Sequence, residues 1–320
     1  MKKNLIGLSL TLTAVVLMLV GCGSDNHDQA PTADEPDVLD ELISVVATFS
    51  IIADMAKQVG GDLVEVVTLV PIGEDPHEHE VLPADIMAVT NADVTLYNGM
   101  NLETGYNWFA DLMTTAGLVA EVDYFAVTSE ITPLYLTTAG LEAYQDPHAW
   151  LDINNGIIYL QNIAAIFANV APEHAVTFHA NAAAEIDRLE QLRDEWVGRF
   201  DSIPEDARIV TTVEGAFRYF GLAFGLNKAY IWEINAHEEG TPEQMMRIIN
   251  IINESNVAHL FVESVFVGEG YMEQVAEATG ISIYATIYTD SLSEATGVAP
   301  TYYEMMRHNL ATIYRGLQSE

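Results

Sequence analysis

Residues 42–70 are LISVVATFSIIADMAKQVGGDLVEVVTLV, and this stretch carries the pattern that decides the fold. The apolar run at 42–49 predicts a buried strand, and the run at 64–70 predicts a second one. Between them, the sequence predicts a helix that Ser50 caps and Gly60-Gly61 ends. A strand, a helix and another strand in succession indicate a parallel sheet with crossover helices.

The same alternation continues to the end of the chain. In the first half, further strands are predicted at 93–99 and 118–125, with a helix from Pro83 to Thr90. In the second half, the predicted strands are 207–213, 228–234, 257–263 and 281–288, and the helices are 215–224, 242–254 and 269–279. Thr241 caps the 242–254 helix, with Pro242 at its first position. We predict an α/β fold of two Rossmann-like lobes with mostly parallel sheets.

One long helix is predicted between these two blocks. Pro172 suits its first turn, and neither Gly nor Pro follows until Gly198. At 1.5 Å per residue it would be roughly 40 Å long, which favours a rigid connector of two lobes over an ordinary core helix. Its apolar face recurs every three or four residues, at Phe178, Ala182, Ile186, Leu189, Leu192, Trp196 and Phe200.

The N-terminal segment is typical of a secretory signal. Lys2 and Lys3 precede an apolar run at 5–20, which is shorter than the ~20 residues that cross a bilayer. The L-V-G-C sequence ending at Cys22 is similar to a bacterial lipoprotein box and implies a lipidated Cys22, against the alternatives of a free thiol or a spanning helix. The predicted organisation is a signal peptide (1–21), a flexible acidic tether (22–41), an N-terminal lobe (42–171), the connecting helix (172–201) and a C-terminal lobe (202–320).

Composition excludes several classes of protein. The 320 residues include 12 Lys and Arg against 47 Asp and Glu, which gives a formal net charge of −35. Such a surface repels phosphate backbones, so a nucleic-acid partner is not expected. The single cysteine excludes an internal disulfide and a cysteine-cluster metal site.

Four residues able to bind a metal follow predicted strands or lie in long loops. His77 lies in D-P-H-E-H-E and His148 in D-P-H-A-W, both in the first lobe, whereas Glu214 and Asp290 follow strands of the second lobe. In doubly wound sheets, ligands bind beyond the carboxyl ends of strands. We therefore expect a site in the cleft between the lobes.

Around these residues the chain resembles the metal-specific solute-binding lipoproteins of bacterial ABC importers. The resemblance extends from about residue 42 to 317. Its marks, in the order of that family, are S-I-I-A-D (50–54), G-G-D (60–62), D-P-H-E (75–78), N-G-x-x-L-E (98–103), D-P-H-A-W-L-D (146–152), E-G-A-F-x-Y-F (214–220), A-Y-I-W-E-I-N (229–235) and D-S-L (290–292).

By this resemblance, His77, His148, Glu214 and Asp290 match the four metal ligands of the family, with His79 a neighbour or alternative donor. Two imidazoles and two carboxylates without sulfur suit Mn²⁺, Fe²⁺ or Zn²⁺. The stretches around Glu214 and Trp232 are most similar to the manganese branch, so Mn²⁺ is predicted first, Fe²⁺ second and Zn²⁺ third.

The resemblance implies a lipid-anchored, extracytoplasmic receptor on the cell membrane that is not an enzyme. It would capture a divalent metal as a monomer and deliver it to an ABC permease. The chain lacks G-x-x-x-x-G-K-[ST], so the ATPase must be a partner. Two alternatives remain open at this point: a metal-dependent hydrolase, and a surface adhesin lipoprotein in which the metal only stabilises the fold.

Overall fold

A computed structural model describes residues 42–235 and 240–318, which belong to one compact unit. Its strands are Ile43–Ala47 (β1), Val64–Thr68 (β2), Val94–Tyr97 (β3), Tyr124–Ala126 (β4), Ile209–Glu214 (β5), Asn227–Trp232 (β6), Leu260–Glu263 (β7) and Ile283–Ile287 (β8). Its α-helices are Ser50–Gly60 (α1), Pro83–Asn91 (α2), Trp108–Ala116 (α3), Ile153–Val170 (α4), Ala175–Trp196 (α5), Arg218–Phe224 (α6), Pro242–Asn253 (α7), Tyr271–Thr279 (α8) and Tyr302–Leu317 (α9).

All the strand pairs are parallel among the described residues, as the alternating sequence predicts. The first four strands form one sheet in the order β2-β1-β3-β4. In the second half β5 pairs with β6 and β7 pairs with β8. The Glu263 carboxylate at the end of β7 accepts hydrogen bonds from the backbone N–H groups of Val213 and Glu214 on β5, at 3.0 and 2.8 Å. The predicted α/β class is therefore confirmed.

The long helix is shorter than predicted. α5 has 22 residues, or about 33 Å, because single 3₁₀ turns replace the α-helix at Pro172–His174 and Arg199–Ser202. Val197 already leaves the helical conformation, and Gly198 then adopts φ +78, which glycine reaches without a Cβ clash. The predicted apolar face is buried except for Ile186, which is half-buried.

The hydrophobic core is continuous through α5. A single cluster of buried side chains includes β1, α1 and α4 from the first half and also reaches α6 and α9 from the second half. A smaller second cluster lies between β6, α7, β7 and α8. None of the described helices combines the length and the apolar character needed to cross a membrane.

Two local predictions were wrong. Ser50 begins α1 and is not its cap; its hydroxyl instead accepts the Leu292 backbone N–H at 2.9 Å. The strand predicted at 118–125 is reduced to β4, because Glu121 has φ +60 and Asp123 accepts the Val119 N–H in a turn. By contrast, Thr241 caps α7 as predicted, in a reciprocal pair of hydrogen bonds with Gln244.

Candidate metal centre

Four side chains from separate parts of the chain meet at one buried point. His77 lies in a 3₁₀ turn at Pro76–Glu78, and His148 directly precedes another at Ala149–Leu151. Glu214 is the last residue of β5, and Asp290 follows β8 after a short loop. None of the four is more than 1% exposed. The sequence had singled out these same four residues, and the structure brings them together.

The distances between the donor atoms suit a shared cation. Nε2 of His77 lies 3.5 Å from Nε2 of His148 and 3.6 Å from Oε1 of Glu214. Nε2 of His148 lies 3.7 Å from Oε2 of Glu214 and 3.5 Å from Oδ1 of Asp290. Four donors about 2.1 Å from one tetrahedral ion would lie about 3.4 Å apart, close to these four distances, and all four donors lie within 4.8 Å of one another.

Three of the four carboxylate oxygens at this point lack hydrogen bonds that would compensate their burial. Glu214 Oε1 accepts the Asn235 backbone N–H at 2.8 Å. Glu214 Oε2 and both oxygens of Asp290 have no hydrogen-bond partner among the described residues. Burying a carboxylate without a partner is costly, and a cation between the two groups would remove that cost. The two carboxylates are therefore arranged to bind a cation.

Burial and mutual charge shift the pKa values of these groups. Burial raises the pKa of Asp290 to about 6, although His148 opposes this effect. Burial would lower the pKa of His148, but Glu214 and Asp146 outweigh it and raise that pKa well above its usual value. Burial likewise opposes ionisation of Glu214, yet the two imidazoles lower the pKa of Glu214. In the absence of a cation, protons therefore balance the charge of this cluster.

Each histidine is oriented by the aspartate two residues before it. Oδ1 of Asp75 accepts the His77 backbone N–H at 2.8 Å, and Oδ1 of Asp146 accepts that of His148 at 3.1 Å. Oδ1 of Asp146 also lies 2.9 Å from Nδ1 of His148, which directs Nε2 toward the centre. A carboxylate on the far nitrogen is the usual support of a metal-binding imidazole. These aspartates were not among the residues predicted from the sequence, although the repeated D-P-H motif is a signal that could have identified them.

A buried arginine extends the support of His148. Nη1 of Arg218 lies 3.3 Å from Oδ2 of Asp146 and 3.4 Å from Oε1 of Glu233. Burial raises the pKa of Glu233, but hydrogen bonds from Thr138 and Thr137 outweigh it and lower that pKa below its usual value. Glu233 thus anchors the loop before His148.

The remaining candidates lie apart from the centre. His79 contacts Asp85, with Nε2 and Oδ2 2.9 Å apart, and packs edge-on against Trp108; it is outside the group of converging donors. The carboxylate of Glu103 is buried against Thr48 and the Asn98 backbone, a structural contact. Cys22, the predicted lipidation site, and the loop of His237 lie outside the described residues.

Comparison with known proteins adds an independent finding. The family model of the zinc-uptake complex component A, periplasmic (ZnuA), matches residues 45–316. The chain is 41% identical over 318 residues to the manganese ABC transporter substrate-binding lipoprotein PsaA of Streptococcus mitis, covering 99% of each chain. It is 43% identical over 303 residues to the iron ABC transporter substrate-binding lipoprotein MtsA of Streptococcus pyogenes serotype M1, covering 94% of this chain and 95% of the relative.

Solved structures of similar proteins share the fold. The Mn-bound periplasmic metal-binding protein of Candidatus Liberibacter asiaticus has a TM-score of 0.76 at 31% identity, over 86% of this chain and 99% of that one. The periplasmic zinc-binding protein TroA of Treponema pallidum has a TM-score of 0.79 at 25% identity, over 87% of this chain and 100% of that one.

Proposed function

The chain belongs to the ZnuA family of metal-binding components of ABC importers, and from this premise we propose that His77, His148, Glu214 and Asp290 bind its cargo, Mn²⁺. The family consists of substrate-binding transport proteins and not enzymes, so the hydrolase alternative is not favoured. One observation carries the proposal: four buried donor groups converge, and three of their carboxylate oxygens lack partners among the described residues.

The choice of Mn²⁺ over Fe²⁺ and Zn²⁺ rests on the donor set and the relatives. Two carboxylates provide hard oxygen donors and offset the charge of a divalent ion. Relatives of similar identity are named for manganese and for iron. Since Zn²⁺ outcompetes Mn²⁺ at most nitrogen and oxygen sites, affinity alone does not decide which ion is carried.

The proposal extends to how the ion is delivered. Relatives named as lipoproteins of ABC transporters support a receptor that Cys22 anchors to the outer face of the cell membrane. The receptor would act as a monomer, with its lobes bounded as predicted at 42–171 and 202–320. It would hand the ion to a permease that a separate ATPase drives.

Elemental analysis of the protein purified from its native host tests the proposal directly. We expect about one equivalent of bound metal, mainly manganese, and competitive titration of the metal-free protein with Mn²⁺, Fe²⁺ and Zn²⁺ provides the affinities. Loss of the gene should impair metal uptake in metal-poor medium. Purified protein without any divalent metal, together with no binding in titration, would contradict the function.

Acidification is expected to release the ion. Imidazoles bind metal only when deprotonated, so protons compete with the ion for His77 and His148 as the pH falls. We expect nearly full occupancy at pH 7 and nearly complete loss at pH 4, measured by metal content after dialysis. Equal metal retention at both pH values would count against binding through histidine.

Asp146→Asn is expected to weaken Mn²⁺ binding by about 10- to 100-fold, the effect typical of groups that orient a metal ligand. The amide keeps the size of Asp146 but removes the negative charge that faces Nδ1 of His148 and Arg218. Isothermal titration with Mn²⁺ measures the loss. Unchanged affinity would show that His148 needs no such support.

A further inference from the structure

We propose that Asn235 is a positioning residue that ties the His77 loop to Glu214 and thereby holds the two sides of the metal centre together. This inference rests on the proposed metal-binding function. Asn235 follows β6 and is 4% exposed. Its backbone N–H donates to Oε1 of Glu214 at 2.8 Å, and its side-chain Nδ2 donates to Oδ2 of Asp75 at 2.6 Å.

Asp75 carries the connection on to the histidine. While Oδ2 of Asp75 accepts from Asn235, Oδ1 of the same carboxylate accepts the His77 backbone N–H at 2.8 Å. The result is an unbroken path of hydrogen bonds from the backbone of one proposed ligand to the carboxylate of another. The path joins residues that are far apart in the sequence and that belong to the two predicted lobes.

The third contact of Asn235 fixes the orientation of its amide. Nε1 of Trp232 lies 2.6 Å from Oδ1 of Asn235, and an indole N–H can only donate a hydrogen bond. The amide oxygen must therefore face Trp232, which leaves the NH₂ group to face Asp75. Trp232 itself is held edge-on against Phe266 and Tyr271, so the indole is a fixed reference for the amide.

Only a side chain with one acceptor and one donor satisfies both neighbours. Aspartate at 235 still accepts from Trp232 but places a carboxylate against the carboxylate of Asp75. Asparagine at 75 still accepts the His77 N–H but sets its NH₂ group against that of Asn235. Each single exchange breaks the same hydrogen bond, and the two exchanges together restore it with donor and acceptor reversed.

This reversal provides the experiment. We would measure Mn²⁺ release from the full chain by stopped flow after mixing with excess EDTA, for the wild type, N235D, D75N and D75N/N235D. Because a hydrogen bond to a charged group is lost, each single variant is expected to release Mn²⁺ at least about tenfold faster. The double variant is expected to return to within about threefold of the wild type.

The matched control is N256D, which alters an Asn–Asp pair at the other end of β5. Nδ2 of Asn256 donates to Oδ2 of Asp206, and both residues are exposed. Its release rate should equal that of the wild type, and circular dichroism of each metal-free variant checks folding. If the double variant releases Mn²⁺ as fast as the faster single variant, the proposed role of Asn235 is overturned. It is also overturned if both single variants release Mn²⁺ at the rate of the wild type. A wild type that bound no Mn²⁺ would overturn the proposed function as well.

Discussion

Asp290→Ala is expected to weaken Mn²⁺ binding by at least about a hundredfold while the fold survives. The substitution removes one of two carboxylates that offset the charge of the ion in a site where no donor is more than 1% exposed. Removing one partner of a buried, paired charge costs about 3–5 kcal/mol, which corresponds to at least a hundredfold in affinity. Titration of the metal-free protein with Mn²⁺ measures this loss, and His77→Ala should behave similarly.

The same variant is expected to leave the metal-free protein as stable as the wild type or more stable. Both carboxylate oxygens of Asp290 are buried without a hydrogen-bond partner among the described residues, so the substitution removes a cost of folding. A ligand at 1,000 times its dissociation constant stabilises a protein by about 4 kcal/mol, or about 7 °C in thermal midpoint for a chain of this size. Mn²⁺ should raise the thermal midpoint of the wild type by this amount and leave the thermal midpoint of Asp290→Ala unchanged.

The control for Asp290 is Glu277→Ala, which removes an exposed carboxylate on α8 and keeps the change in net charge the same. Its Mn²⁺ affinity should equal that of the wild type. If Asp290→Ala also bound Mn²⁺ with unchanged affinity, Asp290 would not be a ligand.

Glu214→His is expected to raise the preference for Zn²⁺ over Mn²⁺ by roughly tenfold or more. Three imidazoles and one carboxylate are softer donors than two of each, and nitrogen ligands favour Zn²⁺ over Mn²⁺. The variant also loses one negative charge, which weakens binding of Mn²⁺ in absolute terms. Competition between equal concentrations of the two ions, followed by elemental analysis of the bound fraction, gives the ratio.

Glu214→Gln separates the effect of charge from that of the added imidazole. The amide is similar in size and can still accept the Asn235 N–H, so it should weaken binding of both ions with a smaller change in their ratio. If Glu214→His left the Zn²⁺ to Mn²⁺ ratio of the wild type unchanged, the idea that this position sets metal preference would be rejected.

The sequence predicted which segments form strands and helices better than it predicted where each of them begins and ends. Apolar runs decide that β1 and β5 are buried strands, because their side chains must leave water wherever the sheet is covered, whereas β2 lies at the edge of its sheet and is only partly buried. The ends depend on single contacts instead. The hydroxyl of Ser50 could satisfy its own helix or the distant Leu292 N–H, and only the tertiary structure selects the second.

The sequence identified the candidate metal donors, but it did not identify the residues that position them. Glu214 and Asp290 lie at or just after the ends of strands, and His77 and His148 lie in loops. Such positions lie together where the carboxyl ends of parallel strands meet. Asn235 ends the A-Y-I-W-E-I-N motif, but the motif does not show its role, because that role depends on three contacts, two of which, with Glu214 and Asp75, come from distant parts of the chain. The hydrogen bond between Arg218 and the Tyr135 carbonyl is equally long-range. Such contacts follow from the packed structure and not from local pattern.

Because the hydrophobic core is continuous through α5, it joins the first and the last elements of the described chain. Leu310 and Ile313 of α9 belong to the same buried cluster as Val45 of β1, so the core that begins at the first strand is completed by the last helix. Synthesis proceeds from the N-terminus, and a nascent chain that lacks α9 exposes part of this cluster to water, so the core closes only after the final helix has been made.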